Sequence, residues 1–152
     1  MDAPARGPSV PPVYALVALL VMGAFHLGFP IARIFPPPYH YAGLVLMGLA
    51  IGLILWAALH FRRLRTAIIP FQPSTALVTS GPYRFTRNPM YLGMALIYVG
   101  AALLFDLRWA LLLLPLVLLV IQTRVIALEE RYLEAKFGDE YRAYRSRVRR
   151  WL

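Results

Sequence analysis

Gly81-Pro82-Tyr83-Arg84-Phe85-Thr86-Arg87-Asn88-Pro89-Met90-Tyr91-Leu92-Gly93 is a polar, aromatic stretch set between long apolar runs. Pro82 and Pro89 each remove a backbone donor and fix φ, so the stretch cannot be one continuous helix. Two arginines precede Asn88, and two tyrosines flank it, at the mouth of the apolar run that begins at Met90. Irregular polar backbone at a membrane boundary is tolerated where protein buries it or a water-filled cavity bathes it. The residues alone admit two readings: an interfacial loop with ordinary aromatic and arginine anchors, or the wall of a site.

The surrounding composition is that of an integral membrane protein. Hydrophobic residues make up 60% of the 152 positions, and the mean hydropathy is +0.62, well above the ~45–50% apolar share of soluble domains. The length points to a single domain. Residues 1–12 are proline-rich and expected to be disordered. They lack the basic start and cleavage site of a signal peptide. Four apolar runs follow, at 13–31, 41–61, 90–105 and 109–125, against the ~20 residues a bilayer requires. The third is the shortest, about 24 Å at 1.5 Å per residue. Asp106-Leu107-Arg108 then predicts a tight turn, making runs three and four an antiparallel hairpin. The pattern predicts an all-α membrane protein of about four transmembrane helices, with a cytoplasmic connector and a C-terminal amphipathic helix. Gly48-x-x-x-Gly52 is a small-residue pattern that lets helices approach closely. From Ile126 the chain turns amphipathic. Gly138 is placed to end one helix, and Asp139 to cap the next.

Charge assigns the sides. Between runs two and three lie five arginines, Arg62, Arg63, Arg65, Arg84 and Arg87, and no acid. From Arg124 onward there are eight basic residues and five acids, whereas the other face holds only Arg33, Asp106 and Arg108. The positive-inside rule puts the connector and both termini in the cytoplasm. The net charge of +9 therefore reports orientation and anionic headgroups rather than nucleic acid, since acids interrupt the basic tail. Without cysteine, disulfide and thiolate chemistry are excluded. His26, His40 and His60 lack ligand spacing, so no metal is expected. No Gly-x-Gly pair or nucleophile elbow is present.

Two clusters converge on the cytoplasmic side: 75–91, and the end of the fourth run with Arg124, Glu129 and Glu130. Adjacent carboxylates at a membrane boundary are costly unless paired or solvated. Either they pair with the connector arginines, or they serve a cationic or hydroxyl-bearing ligand beside stacking aromatics.

Gly81-Pro82-Tyr83, then Arg87-Asn88-Pro89-Met90-Tyr91-Leu92-Gly93, then Glu129-Glu130-x-x-Leu133-x-x-x-Phe137-Gly138-x-x-Tyr141-x-x-Tyr144, in that order and spacing, resemble the isoprenylcysteine carboxyl methyltransferase family. These are integral membrane methyltransferases related to phospholipid N-methyltransferases. The likeness covers 75–151, the expected cofactor-binding core; the first two runs match in hydropathy alone. It implies S-adenosylmethionine bound in a cytoplasm-facing pocket by Thr75, Ala76, Leu77, Val78, Tyr83, Asn88, Pro89, Met90, Tyr91 and Glu129. Arg124 and Glu130 are the implied catalytic residues. Partners would be membrane lipids and a lipophilic acceptor, with carboxylate O-methylation favoured. Phospholipid amine N-methylation, or a non-catalytic lipid-binding role, is the alternative. Asn88 stands where the family commonly has histidine, and keeps a donor and an acceptor. The family's substrate-side arginine falls on Val125, with Arg124 its neighbour.

Overall fold

The computed structural model describes residues 11–29, 37–63 and 76–152, and every regular element among them is helical. Helix α1 (Pro11–Gly28) is followed by a 3-10 turn at Tyr39–Tyr41 leading into α2 (Ala42–Arg63). A second 3-10 turn at Gly81–Arg84 precedes α3 (Pro89–Leu104). Helix α4 (Arg108–Ile121) passes through a π turn at Gln122–Ile126 directly into α5 (Ala127–Phe137), and α6 (Asp139–Arg147) closes the chain.

Two helical stretches are long and apolar enough to cross a membrane, Tyr39–Arg63 with 25 residues and Arg108–Phe137 with 30. Leu16–Gly28 and Pro89–Leu104 are apolar but shorter. The third run is cut to its length by Pro89 at one end and by the Asp106 turn at the other. Asp106 takes a left-handed backbone, φ 53, and its carboxylate lies 3.2 Å from the buried Arg108 guanidinium.

The α2–α3 contact explains why these helices pack. Gly43, Ala50 and Ala57 are the buried residues of α2, spaced seven apart. A seven-residue period is what keeps one seam of a helix against its neighbour. Opposite them, Gly93 and Gly100 of α3 repeat the same spacing, antiparallel. A Cβ on Gly43 would strike the Gly100 carbonyl oxygen and come within 2.8 Å of the Leu104 nitrogen, and one on Gly93 would lie 2.5 Å from Ile54 Cγ1. The Gly48-x-x-x-Gly52 pattern does not form this contact: added Cβ atoms there would meet nothing within 4 Å. The heptad-spaced set, on another face of the same helix, makes the close approach instead.

On the other side of the hairpin, α1 packs on α3 and α4 through Met22, Tyr98, Ala102 and Ala110. Tyr98, 1% exposed, donates its hydroxyl to the Ala110 carbonyl at 2.9 Å. Trp109 Nε1 donates to the Phe29 carbonyl at 3.0 Å, just past the end of α1. His26 Nδ1 is buried without a hydrogen-bond partner among the described residues.

Gly138, at φ 52, separates α5 from α6, and its N–H donates to Glu134 O at 2.9 Å. Asp139 is not the cap expected from sequence. No side-chain cap bond forms at that N-terminus, because the Asp139 carboxylate accepts from Arg142 at 2.6 Å.

The seam yields a direct test. Gly43→Ala should cost about 1–3 kcal/mol of stability through overpacking, whereas Gly48→Ala, in the open interior of the helix, should leave stability unchanged or raise it by up to about 1 kcal/mol. Thermal unfolding of both variants in one detergent measures this, and equal losses would contradict the assigned seam.

Candidate functional site

The described part of the connector, residues 76–88, packs against the end of α2 before α3 begins. Gly81 has φ 61, a backbone glycine adopts at no steric cost, and a Cβ there would collide with the His60 ring. His60 is held in turn by Nδ1 against the Trp56 carbonyl, 3.1 Å. Tyr83 stacks edge-on against Phe61 with ring centroids 5.4 Å apart. Val78, Tyr83, Tyr141 and Tyr144 are buried around Ala57, with Leu77, Met90, Leu133 and Phe137 packed against them. Tyr144 donates its hydroxyl to the Tyr83 carbonyl at 2.8 Å, so α6 is latched to the connector.

The C-terminal residues form a strap across this end. Arg87 N–H donates to Arg149 O at 2.9 Å. The Arg150 carbonyl accepts from Thr86 Oγ1 at 3.1 Å and from Asn88 Nδ2 at 2.9 Å. Trp151 Nε1 donates to Gln122 Oε1 of the π turn at 2.9 Å, and its ring packs on Tyr91, Ile121, Val125 and Ile126.

The two glutamates have opposite surroundings. Glu130 is buried; Arg150 donates to it through both Nε (3.0 Å) and Nη2 (2.6 Å), and Arg87 Nη1 lies at 3.1 Å. Arg87 Nη1 also donates to Tyr141 Oη at 3.2 Å. Glu129, partly exposed, pairs with no cation among the described residues; its Oε2 accepts from Tyr91 Oη at 2.8 Å. The neighbouring phenols stay protonated. Burial, reinforced by the charge of Glu129, holds the Tyr83 hydroxyl far above the usual tyrosine range, and burial does the same for Tyr144. They are therefore hydrogen-bond donors at any physiological pH.

The structure thus gathers Leu77, Val78, Tyr83, Asn88, Pro89, Met90, Tyr91, Glu129 and Glu130 at one end of the helices, with Ala76 half-buried beside them. Thr75 lies outside the described residues. Arg124 is exposed on the π turn, apart from the ion pairs that hold the strap. Asn88 spends its amide N–H on the strap and makes no side-chain cap for α3. Sequence reasoning quoted Arg87, Tyr141 and Tyr144 in the motifs, Arg87 also as one of the connector arginines, but did not single out Gln122, Arg150 and Trp151 as members of this end. The i, i+3 spacing of Tyr141 and Tyr144 marked a common helix face, but nothing local marks Arg150 or Trp151, whose partners are distant in sequence. No three His, Cys, Asp or Glu side chains converge on a metal position among the described residues.

One carboxylate without a counterion among the described residues, rimmed by neutral phenols at the polar end of an apolar bundle, suits a ligand carrying positive charge and hydroxyls. Comparison with known proteins bears on which ligand. Residues 38–140 match the family model of phospholipid methyltransferases. The chain is 49% identical over 63 residues to an uncharacterized protein of Haemophilus influenzae, which spans 41% of this chain and all of that protein. It is 39% identical over 72 residues to the protein-S-isoprenylcysteine O-methyltransferase of Schizosaccharomyces pombe, covering 47% of this chain but only 30% of the yeast protein. No solved structure matches it significantly.

The geometry makes Glu130 a strut. Glu130→Ala would leave two guanidinium groups facing each other without a counterion. The loss should be roughly 2–3 kcal/mol, below the ~3–5 of a fully buried pair because Arg150 is partly solvated. Urea unfolding is the measurement. Glu134→Ala, which removes the partner of the exposed Arg142 and Arg145, is the control expected to change little.

Proposed function

The chain belongs to the phospholipid methyltransferase family, and from that premise we propose that it transfers a methyl group from S-adenosylmethionine to a membrane-dissolved acceptor. The observation that carries the proposal is Glu129: a carboxylate at the membrane boundary, hydrogen-bonded to Tyr91 and lacking a cation among the described residues. When bound, S-adenosylmethionine supplies an electrophilic methyl on a sulfonium. Glu129 accepts hydrogen bonds from the ligand's ammonium or ribose hydroxyls, and Tyr91 fixes the carboxylate that does so. Tyr83 and Met90 form the wall behind it, and Asn88 reaches it through the backbone that it ties to Arg150. Ala76, Leu77 and Val78 complete the connector side. Glu130 acts by position, holding Arg87 and Arg150, and Arg124 on the π turn meets an acceptor arriving from the lipid.

In this reading α1 and α3 cross the membrane with the two longer helices. The strap, the connector and both termini then lie in the cytoplasm, where a polar donor is dissolved. The acceptor enters sideways from the bilayer. Alignment of acceptor, methyl and leaving sulfur supplies most of the rate, so the residues need to orient more than to exchange protons. A carboxylate acceptor suits that economy, because it carries its own negative charge and loses no proton on methylation. The yeast relative is named as a methyltransferase acting on isoprenylcysteine oxygen, which supports the same choice. Phospholipid amine N-methylation is the second reading, favoured by the description of the family; there a proton must leave, and Glu129 would receive it.

Calorimetric titration of the protein in lipid nanodiscs tests the donor. Glu129→Gln should weaken S-adenosylmethionine binding by roughly 1.5–3 kcal/mol, the worth of a charge-assisted hydrogen bond, with no change in melting temperature. Absence of binding by the unaltered protein would overturn the proposal. Radiolabelled methyl released from the lipid product by mild base indicates an ester, and base-resistant label an amine.

A further inference from the structure

Arg87 and Arg150 use the same carboxylate in different ways. Arg150 spends its two-pronged edge, Nε with Nη2, on the two oxygens of Glu130. Arg87 touches Glu130 and Tyr141 through Nη1. Its side chain is 10% exposed, and its Nε is buried with no hydrogen-bond partner among the described residues. Nη2 on the same edge has no acceptor among the described residues. A guanidinium presents five donors in one plane, and the Nε–Nη2 edge is the one that matches a carboxylate or phosphate.

Charge points the same way. Two guanidinium groups share the one buried carboxylate of Glu130, so that group by itself does not neutralise both. The phenols that complete the surroundings, Tyr141 and Tyr144, bring no negative charge. Buried donors are normally satisfied, and a buried charge is normally paired. Arg87 satisfies neither condition fully, and it does so beside the glutamate next to Glu129.

We propose that Arg87 is an anion-binding residue whose Nε–Nη2 edge receives a carboxylate or phosphate of a bound substrate. The inference rests on the reading that Glu129 faces a cationic ligand. A zwitterion then has a partner for each charge, Glu129 for the positive group and Arg87 for the negative one. Two sources offer the anion: the amino-acid carboxylate of the methyl donor, and the acidic group of the lipophilic acceptor. Glu130 is a positioning residue in this scheme, since its hold on Nη1 leaves the other edge free.

The test uses the full chain, labelled with 15N-arginine and reconstituted in nanodiscs, with the Arg87 Nε–H resonance identified by its loss in Arg87→Lys. Four probes are titrated: S-adenosylhomocysteine, its decarboxylated analogue, palmitate and inorganic phosphate. A shift with S-adenosylhomocysteine but not with the decarboxylated analogue identifies the donor's carboxylate. Arg87→Lys should then bind S-adenosylhomocysteine about ten-fold more weakly and the analogue as before. A shift with palmitate or phosphate but not with S-adenosylhomocysteine identifies the acceptor's acid group. A resonance that no probe moves overturns the proposal and leaves Arg87 a strut. If the unaltered protein binds no S-adenosylhomocysteine while palmitate or phosphate moves Arg87, the methyl-donor reading fails and the anion site stands.

Discussion

The Glu130 carboxylate is the point on which this end of the molecule depends. Three segments distant in sequence meet there: the connector through Arg87, α5 through Glu130 itself, and the C-terminal strap through Arg150. Desolvating such a group is expensive, and the attraction repays it only when geometry is good and the remaining lone pairs are filled. Here both oxygens receive guanidinium donors, one arginine binding two-pronged. With that junction made, Arg87 also reaches Tyr141, while the Arg150 carbonyl takes Thr86 and Asn88. The strap then carries Trp151 to the π turn.

The seam of α2 and α3 sets where the junction can form. Small residues every seventh position bring the backbones together, and the same face continues from Ala57 into the cluster of Val78, Tyr83, Tyr141 and Tyr144. The bundle thus hands the connector a fixed surface to fold against. Beyond it, the π turn at Gln122–Ile126 joins the membrane helix α4 to the polar α5. Such wide turns recur at functional sites. Here the turn is anchored by Trp151 just before the helix that carries both glutamates.

Much of this was legible in the residues. Pro82 and Pro89 marked the break between connector and α3, Asp106-Leu107-Arg108 marked the hairpin turn, and Gly138 marked the end of α5, because each acts through its own backbone. The pairing of an acidic site with connector arginines was legible as one of two readings, and the structure divides it: Glu130 pairs with Arg87, and Glu129 has no cation partner among the described residues. What sequence could not supply was long-range. Nothing near Arg150 or Trp151 tells that they reach Glu130 and Gln122, and Asn88, read as a ligand-facing amide, donates to a carbonyl 62 residues away. The Gly48-x-x-x-Gly52 pattern was conspicuous, yet the helix packs with the heptad set on another face, since either face of an apolar helix satisfies the same local rules.

The central claim is that the end of the bundle carrying Tyr83, Tyr91 and Glu129 is where a methyl donor binds. Direct ultraviolet cross-linking of radiolabelled S-adenosylmethionine to the protein in nanodiscs, followed by peptide mapping, addresses it most plainly. The account predicts label in the peptides covering 76–91 or 121–130, lost when excess S-adenosylhomocysteine competes. Label confined to the opposite end, at the 105–109 turn, or label that no competitor removes, would contradict it.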